Sequence, residues 1–199
     1  MTPDLEKLAL TLFEIDAVRL GDFTLHSGRK SPIYLDLRVL VSYPHALRLA
    51  TAAYRSVLDT LSFDLIAATP LAGLPIGTAI CLAMDRPLIY PRKTAKSYGT
   101  GKSVEGVWQV GQRAVVVDDL VTSGDSILQA IMPLKGAGLQ VTDAVVLVDR
   151  QQGGAESLQE LGYRLHAVLT LPHLLLILQE NGRITPLQRD RVLKSLRGE

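Results

Sequence analysis

One pattern governs most of this 199-residue chain: a short apolar run followed by a segment with helical spacing. The apolar runs fall at residues 65–68, 87–90, 114–117, 144–148 and 165–169. Segments 74–83, 126–135 and 155–161 lie between them and carry apolar residues three and four apart, as helices do. Runs that are apolar at every position, with no polar alternation, belong to strands covered on both faces. The pattern therefore predicts an α/β fold: a central, mostly parallel sheet flanked by helices. Ligands of such sheets bind beyond the carboxyl ends of the strands. The residues that follow each run are where chemistry should be sought.

The first sixty residues follow a different plan. Leu5, Leu8, Ala9, Leu12, Phe13 and Ile15 repeat with helical period, predicting an opening helix that ends by Gly21. Residues 23–26 and 33–37 alternate like two strands of a hairpin joined through 27–32. Pro44 suits the first turn of a helix reaching about residue 61. The tail, 184–196, reads as a terminal helix with a charged face. The expectation is one domain over residues 1–199, with a small N-terminal part at about 1–40.

Bulk properties narrow the function classes. A formal net charge of +1 offers no electrostatic footprint for nucleic acid. The single cysteine, Cys81, can form neither an intramolecular disulfide nor a Cys-rich zinc site. Its apolar surroundings suggest a buried, inert thiol. No basic region followed by an apolar stretch opens the chain, and the apolar run at 169–178 is too short to span a bilayer. The expected location is the cytoplasm, with no membrane partner.

Three strand ends stand out: Thr69–Gly73, Asp149-Arg150, and above all Asp118-Asp119 with the loop Leu120, Val121, Thr122, Ser123, Gly124, Asp125 and Ser126. A loop that opens a helix offers backbone N–H groups where the helix dipole favours a phosphate. Carboxylates only accept hydrogen bonds, so a pair of them can hold two vicinal sugar hydroxyls. An ordinary turn and cap could use the same residue types. The Walker pattern does not apply, because no Gly-Lys-Ser/Thr follows the expected glycine spacing, and the Gly-x-Gly-x-x-Gly dinucleotide motif is missing too. Residues 92–106 hold four cations and three glycines among almost no apolar residues. That composition fits a solvated loop or a cationic lid that closes over a polyanion.

The string Val115–Gly124 resembles the phosphoribosyl diphosphate (PRPP) motif of type I phosphoribosyltransferases. Three further segments resemble the orotate phosphoribosyltransferase family: Phe23–Tyr34 its N-terminal hairpin, Arg92–Gly106 its catalytic loop, and Val148–Gly154 the stretch bearing its orotate-binding arginine. The likeness runs from about residue 5 to 197. It implies a type I phosphoribosyltransferase fold with a small N-terminal hood. It also implies transfer of the phosphoribosyl group from PRPP to orotate, Mg²⁺ as cofactor held mainly by PRPP and water, and a homodimer that shares the catalytic loop.

Carried over by position, Lys93, Lys96, Asp118 and Asp119 would be catalytic, the two carboxylates holding the ribose hydroxyls. Arg92, Lys93, Lys96 and Tyr98 would meet the diphosphate, as would the turn Thr69–Gly73. Residues Leu120–Ser126 would line the PRPP site, Thr122 to Ser126 cradling its 5-phosphate. Thr122, Arg150, Ser31 and Tyr34 would meet orotate. His26 stands where some members have lysine, Tyr98 where others have histidine, and the 69–73 turn is not the family's commonest form. Two other readings share the Asp118–Ser126 motif: a type I transferase for another base, and a non-catalytic regulator that keeps the PRPP fold.

Overall fold

The computed structural model describes residues 3–24, 28, 30–92 and 103–197. Helix α1 (Pro3–Glu14) leads into strands β1 (Val18–Thr24) and β2 (Lys30–Leu35), which form a separate antiparallel pair. After a 3-10 turn at Leu37–Ser42 come α2 (Pro44–Leu58), β3 (Leu65–Ala68), α3 (Gly73–Met84), β4 (Leu88–Pro91) and β5 (Val104–Glu105). The chain continues through β6 (Arg113–Val121), α4 (Asp125–Gly136), β7 (Gln140–Asp149), α5 (Gly154–Glu160), β8 (Arg164–Thr170), α6 (Leu171–Glu180) and α7 (Pro186–Arg197).

The main sheet has the order β5-β4-β3-β6-β7-β8. All neighbouring pairs in it are parallel except β4 with β5. The mostly parallel sheet is thus the one expected from the sequence. From β3 the chain moves outward to β4 and β5, then returns to the other side of β3 to begin β6. That reversal makes the β3–β6 boundary a topological switch point, where a crevice opens at the strand ends.

Alternation along the strands divides the core into two layers. Ile66, Val115, Val117, Val145 and Leu147 face one way and pack with Tyr54, Ile76, Ile80 and Leu174. Leu65, Ala67, Ala114, Val116, Ala144 and Val146 face the other way and meet Ile127, Ile131 and Leu134 of α4 and Leu158 of α5. Burial on both faces explains why these strands read as unbroken apolar runs.

Several expectations need correction. Helix α1 ends at Glu14, and Gly21 lies inside β1, where the pairing with β2 shifts register between Leu20 and Phe23. Strand β6 does not stop before the acid pair. It runs on to Val121, because β7 is long enough to pair Asp118 with Val146 and Val121 with Asp149. Helix α6 is a further element that the spacing does not predict, because it is apolar nearly all round, without an amphipathic period. Its start is nonetheless orthodox: proline sits in the first turn, and the Thr170 hydroxyl accepts the His173 N–H at 3.3 Å. Cys81 is half-buried instead of fully enclosed.

Helix α3 is held tightly against β3. A Cβ at Gly77 would lie 2.7 Å from the Ala68 Cβ and 3.2 Å from Leu88 Cδ1. This approach delivers the start of α3 over the end of β3. Gly77→Val should therefore cost about 1–3 kcal/mol by overpacking. Urea unfolding measures it, and an unchanged midpoint would contradict the close contact.

Candidate functional site

Asp118 is 5% exposed, and its carboxylate is fully engaged. Oδ1 accepts the Thr69 hydroxyl, and also the Asp119 N–H at 2.9 Å. Oδ2 accepts the Ser126 hydroxyl at 3.1 Å. The fully buried Tyr54 of α2 donates its hydroxyl to the Asp118 carbonyl at 2.6 Å. Both carboxylate oxygens and the carbonyl of Asp118 therefore have partners, as burial demands. Burial, with the Asp118 and Asp119 carboxylates nearby, holds the Tyr54 hydroxyl well above the usual phenol range.

Asp119 is half-buried beside this engaged neighbour. Desolvation, then the charge of Asp118, pushes its carboxyl up to about 7. In the ligand-free protein it is poised between neutral and ionised forms near neutral pH. Cations or hydroxyl donors arriving at the site would favour the ionised form.

The loop after β6 is shaped by two glycines. Gly124 has φ +91° and immediately precedes α4, which has no side-chain cap bond among the described residues. Its backbone N–H groups are therefore not consumed by a capping side chain. Gly154, at the start of α5, presses against the same loop: a Cβ there would lie 2.6 Å from the Thr122 carbonyl and 2.7 Å from Val121 Cγ2. Ser123 donates its hydroxyl to Asp125 at 2.7 Å. The Arg150 N–H donates to the Val121 carbonyl at 3.1 Å, tying the end of β7 to the loop. Arg150 is half-buried, and its Nε has no hydrogen-bond partner among the described residues. Burial pulls its guanidinium below the usual arginine range. The adjacent Asp149 accepts the Gln151 N–H at 2.8 Å, and no ion pair links it to Arg150 among the described residues.

Arg92, at the end of β4, is ion-paired with Glu105 of β5. It lies between two cavities of about 300 Å³ each. One is lined by Pro70, Leu71, Leu74, Tyr90 and Glu105, the other by Pro70, Ser126 and Gln129. The peptide between Pro70 and Leu71 is cis. Lys93, Lys96, Tyr98 and His26 lie outside the described residues.

The two hairpin positions fall on opposite faces of β2. Ser31 is buried, and its hydroxyl donates to the Ile33 carbonyl at 2.7 Å. Tyr34 faces the other way: the Arg19 guanidinium sits 5.1 Å from its ring, Phe23 packs at 5.5 Å, and Arg38 donates to its hydroxyl at 3.2 Å. The structure thus gathers Asp118, Asp119, Thr122 to Ser126 and Arg150 around the strand ends, with Arg92 beside Ser126 across a cavity. Ser31 and Tyr34 stand on the separate two-stranded sheet. Sequence reasoning missed the partnership of Thr69 and Tyr54 with Asp118, which has no local signal. It also missed Glu105, which was legible as the lone acid in the cationic stretch.

No family model matches the chain. Orotate phosphoribosyltransferase from Caenorhabditis elegans is 36% identical over 187 residues, covering 93% of this chain and 82% of the relative. The bifunctional enzyme PyrF/PyrE of Nostoc sp. is 40% identical over 180 residues, 90% of this chain. The structure of Leishmania donovani UMP synthase superposes with a TM-score of 0.89 at 43% identity, over 98% of this chain. The chain spans only 38% of the Nostoc enzyme and 42% of the Leishmania chain.

The raised carboxyl of Asp119 has a defined consequence for stability. With a value near 7 in the folded state and 3.8 unfolded, the folded state retains the proton better. Its stabilising contribution is full below pH 4 and is lost as pH rises through 7. Between pH 5 and pH 8 the ligand-free protein should lose on the order of 2 kcal/mol relative to Asp119→Asn. Urea titrations of both proteins at the two pH values measure this. Parallel pH dependences would refute the assignment.

Proposed function

The chain belongs to the orotate phosphoribosyltransferase family, and we propose that it transfers the 5-phosphoribosyl group of PRPP to orotate. The products are orotidine 5′-phosphate and diphosphate, in the synthesis of pyrimidine nucleotides. One observation carries the reading: the acid pair of β6, the glycine-shaped loop into α4 and Arg150 converge at one switch point, joined by the Arg150–Val121 hydrogen bond.

The reaction breaks the C1–O bond of the ribose and forms a C–N bond. Positive charge grows on the sugar and negative charge on the leaving diphosphate. No protein nucleophile is required, so catalysis consists of positioning and charge stabilisation. Thr122 to Ser126 would take the 5-phosphate on their N–H groups and hydroxyls. Asp119 would accept the ribose hydroxyls in its ionised form, with Asp118 holding the strand end beneath it. Arg92, Lys93, Lys96 and Tyr98 would meet the diphosphate, and closure of the loop would exclude the water that hydrolyses an activated sugar. Arg150 would hold the orotate carboxylate; its buried Nε, which has no hydrogen-bond partner among the described residues, supports that role. Thr122 would face the same base. Ser31 and Tyr34, facing opposite ways, could contribute to base placement through the β2 backbone and one aromatic face.

Magnesium fits a site of this composition. Asp118 already spends its oxygens on protein donors, leaving Asp119 as the hard oxygen nearest the sugar. Such a site suits an ion carried mainly by phosphate oxygens and water. When bound, the ion would supply charge neutralisation on the diphosphate.

We also propose a homodimer. Leu71, before α3, and Leu82, near its end, are 70% and 81% exposed, apolar side chains that a second copy would cover. The loop at 92–106 would then reach the neighbouring site. A cytoplasmic location belongs to the same reading. No described helix is long and apolar enough to cross a membrane.

The test is incubation with Mg²⁺, PRPP and a panel of bases. Orotate absorbance should fall, and chelating the metal should stop the reaction. Turnover of a purine alone would select a transferase for another base, and binding without turnover a regulator. Arg150→Lys should raise the orotate KM about 10- to 100-fold, because lysine lacks the planar two-pronged fork. An unchanged orotate KM would remove Arg150 from the base site.

A further inference from the structure

Beyond the β3–β6 ladder, one residue carries the junction of the two strands on to the acid pair. Thr69 directly follows β3, is 2% exposed, and uses both its donors across the boundary to β6. Its N–H donates to the Val117 carbonyl at 3.0 Å, and its hydroxyl to Asp118 Oδ1. The start of α3 is built directly on this contact. A Cβ at Gly73 would lie 2.5 Å from the Thr69 hydroxyl oxygen and 2.7 Å from the Val117 carbonyl. On the far side Tyr54 clamps the Asp118 carbonyl. The turn at 69–73, the first residue of α3 and the acid pair therefore form one block with no slack between its parts.

We propose that Thr69 is a positioning residue that fixes the turn meeting the diphosphate relative to the acid pair meeting the ribose. This inference rests on the phosphoribosyl-transfer reading given above. The bond that breaks in that reaction joins the two substrate parts held by those two pieces of protein. Its elongation needs the ribose and the leaving group kept in line. A displacement of a fraction of an ångström at either piece is felt in turnover. Thr69 opens the turn assigned to the diphosphate, but its own N–H and hydroxyl are already spent on β6. It acts through Asp118, whose filled oxygens keep the β6 end from following the sugar. Orotate, held at Arg150 just after β7, would lie outside the block, so its binding should not depend on Thr69.

Steady-state kinetics with PRPP and orotate on wild type, Thr69→Val, Thr69→Ala and Thr69→Ser, alongside melting curves, tests the proposal. Valine keeps the branched shape but loses the donor; serine keeps the donor. Thr69→Val and Thr69→Ala should lower kcat about 10- to 100-fold while the orotate KM stays within about twofold. Thr69→Ser should recover kcat to within about threefold of wild type. Unchanged kcat in Thr69→Val with an active wild type overturns the inference alone. So does an equal loss in Thr69→Ser. Failure of both donor-less variants to fold would assign Thr69 to stability and equally overturn it. A wild type inert toward orotate would refute the transfer reading itself, and the inference with it.

Discussion

A carboxylate set inside a sheet must be paired, and the site depends on how Asp118 meets that requirement. Leaving one buried hydrogen-bonding group unmade costs about 1–3 kcal/mol, and more for a charged one. Asp118 avoids that cost by drawing donors from three places: Thr69 after β3, Ser126 in α4, and the backbone of Asp119. Tyr54 of α2 completes the set through the main chain. One buried residue, through its side chain and its carbonyl, thus fastens the two central strands, the helix after the loop and a helix on the opposite layer. The same bonds that make burial tolerable fix the geometry of the crevice.

The electrostatics of the crevice follow from that arrangement. With Asp118 engaged, its neighbour Asp119 is half-buried next to a like charge, and its carboxyl rises to about 7. Around this acidic point the structure arranges groups suited to the rest of a charged ligand. The glycine-shaped start of α4 lies beyond it, Arg150 is tied to the loop, and Arg92 is steered by Glu105. In the proposed reading polyanion and sugar would be accommodated by different elements, and those elements are placed by close backbone approaches such as those at Gly73, Gly77 and Gly154.

Much of this was legible in the sequence, and the exceptions have physical causes. Strand β3 falls at residues 65–68, as its apolar run indicates, and the parallel sheet follows from runs that lack alternation. The loop into α4 and the arginine after β7 were visible because they punctuate those runs. Helix α6 escaped notice because enclosure on all sides erases the amphipathic period. The end of β6 was misplaced because a strand continues as far as its neighbour can pair with it, and the length of β7 is not written in β6. Thr69 could be located at a strand end, but its partner is set by tertiary structure. The opposed directions of Ser31 and Tyr34 do follow from strand alternation once the register of β2 is known.

The central claim is that the crevice between β3 and β6 holds a phosphorylated ribose, and a crystal structure of this protein with PRPP and Mg²⁺ tests it most directly. The account predicts the 5-phosphate on the N–H groups of Thr122 to Ser126, the ribose hydroxyls on Asp119, and Asp118 still bonded to Thr69. A sugar phosphate bound elsewhere, or a ribose held by Asp118 after release from Thr69, would contradict it.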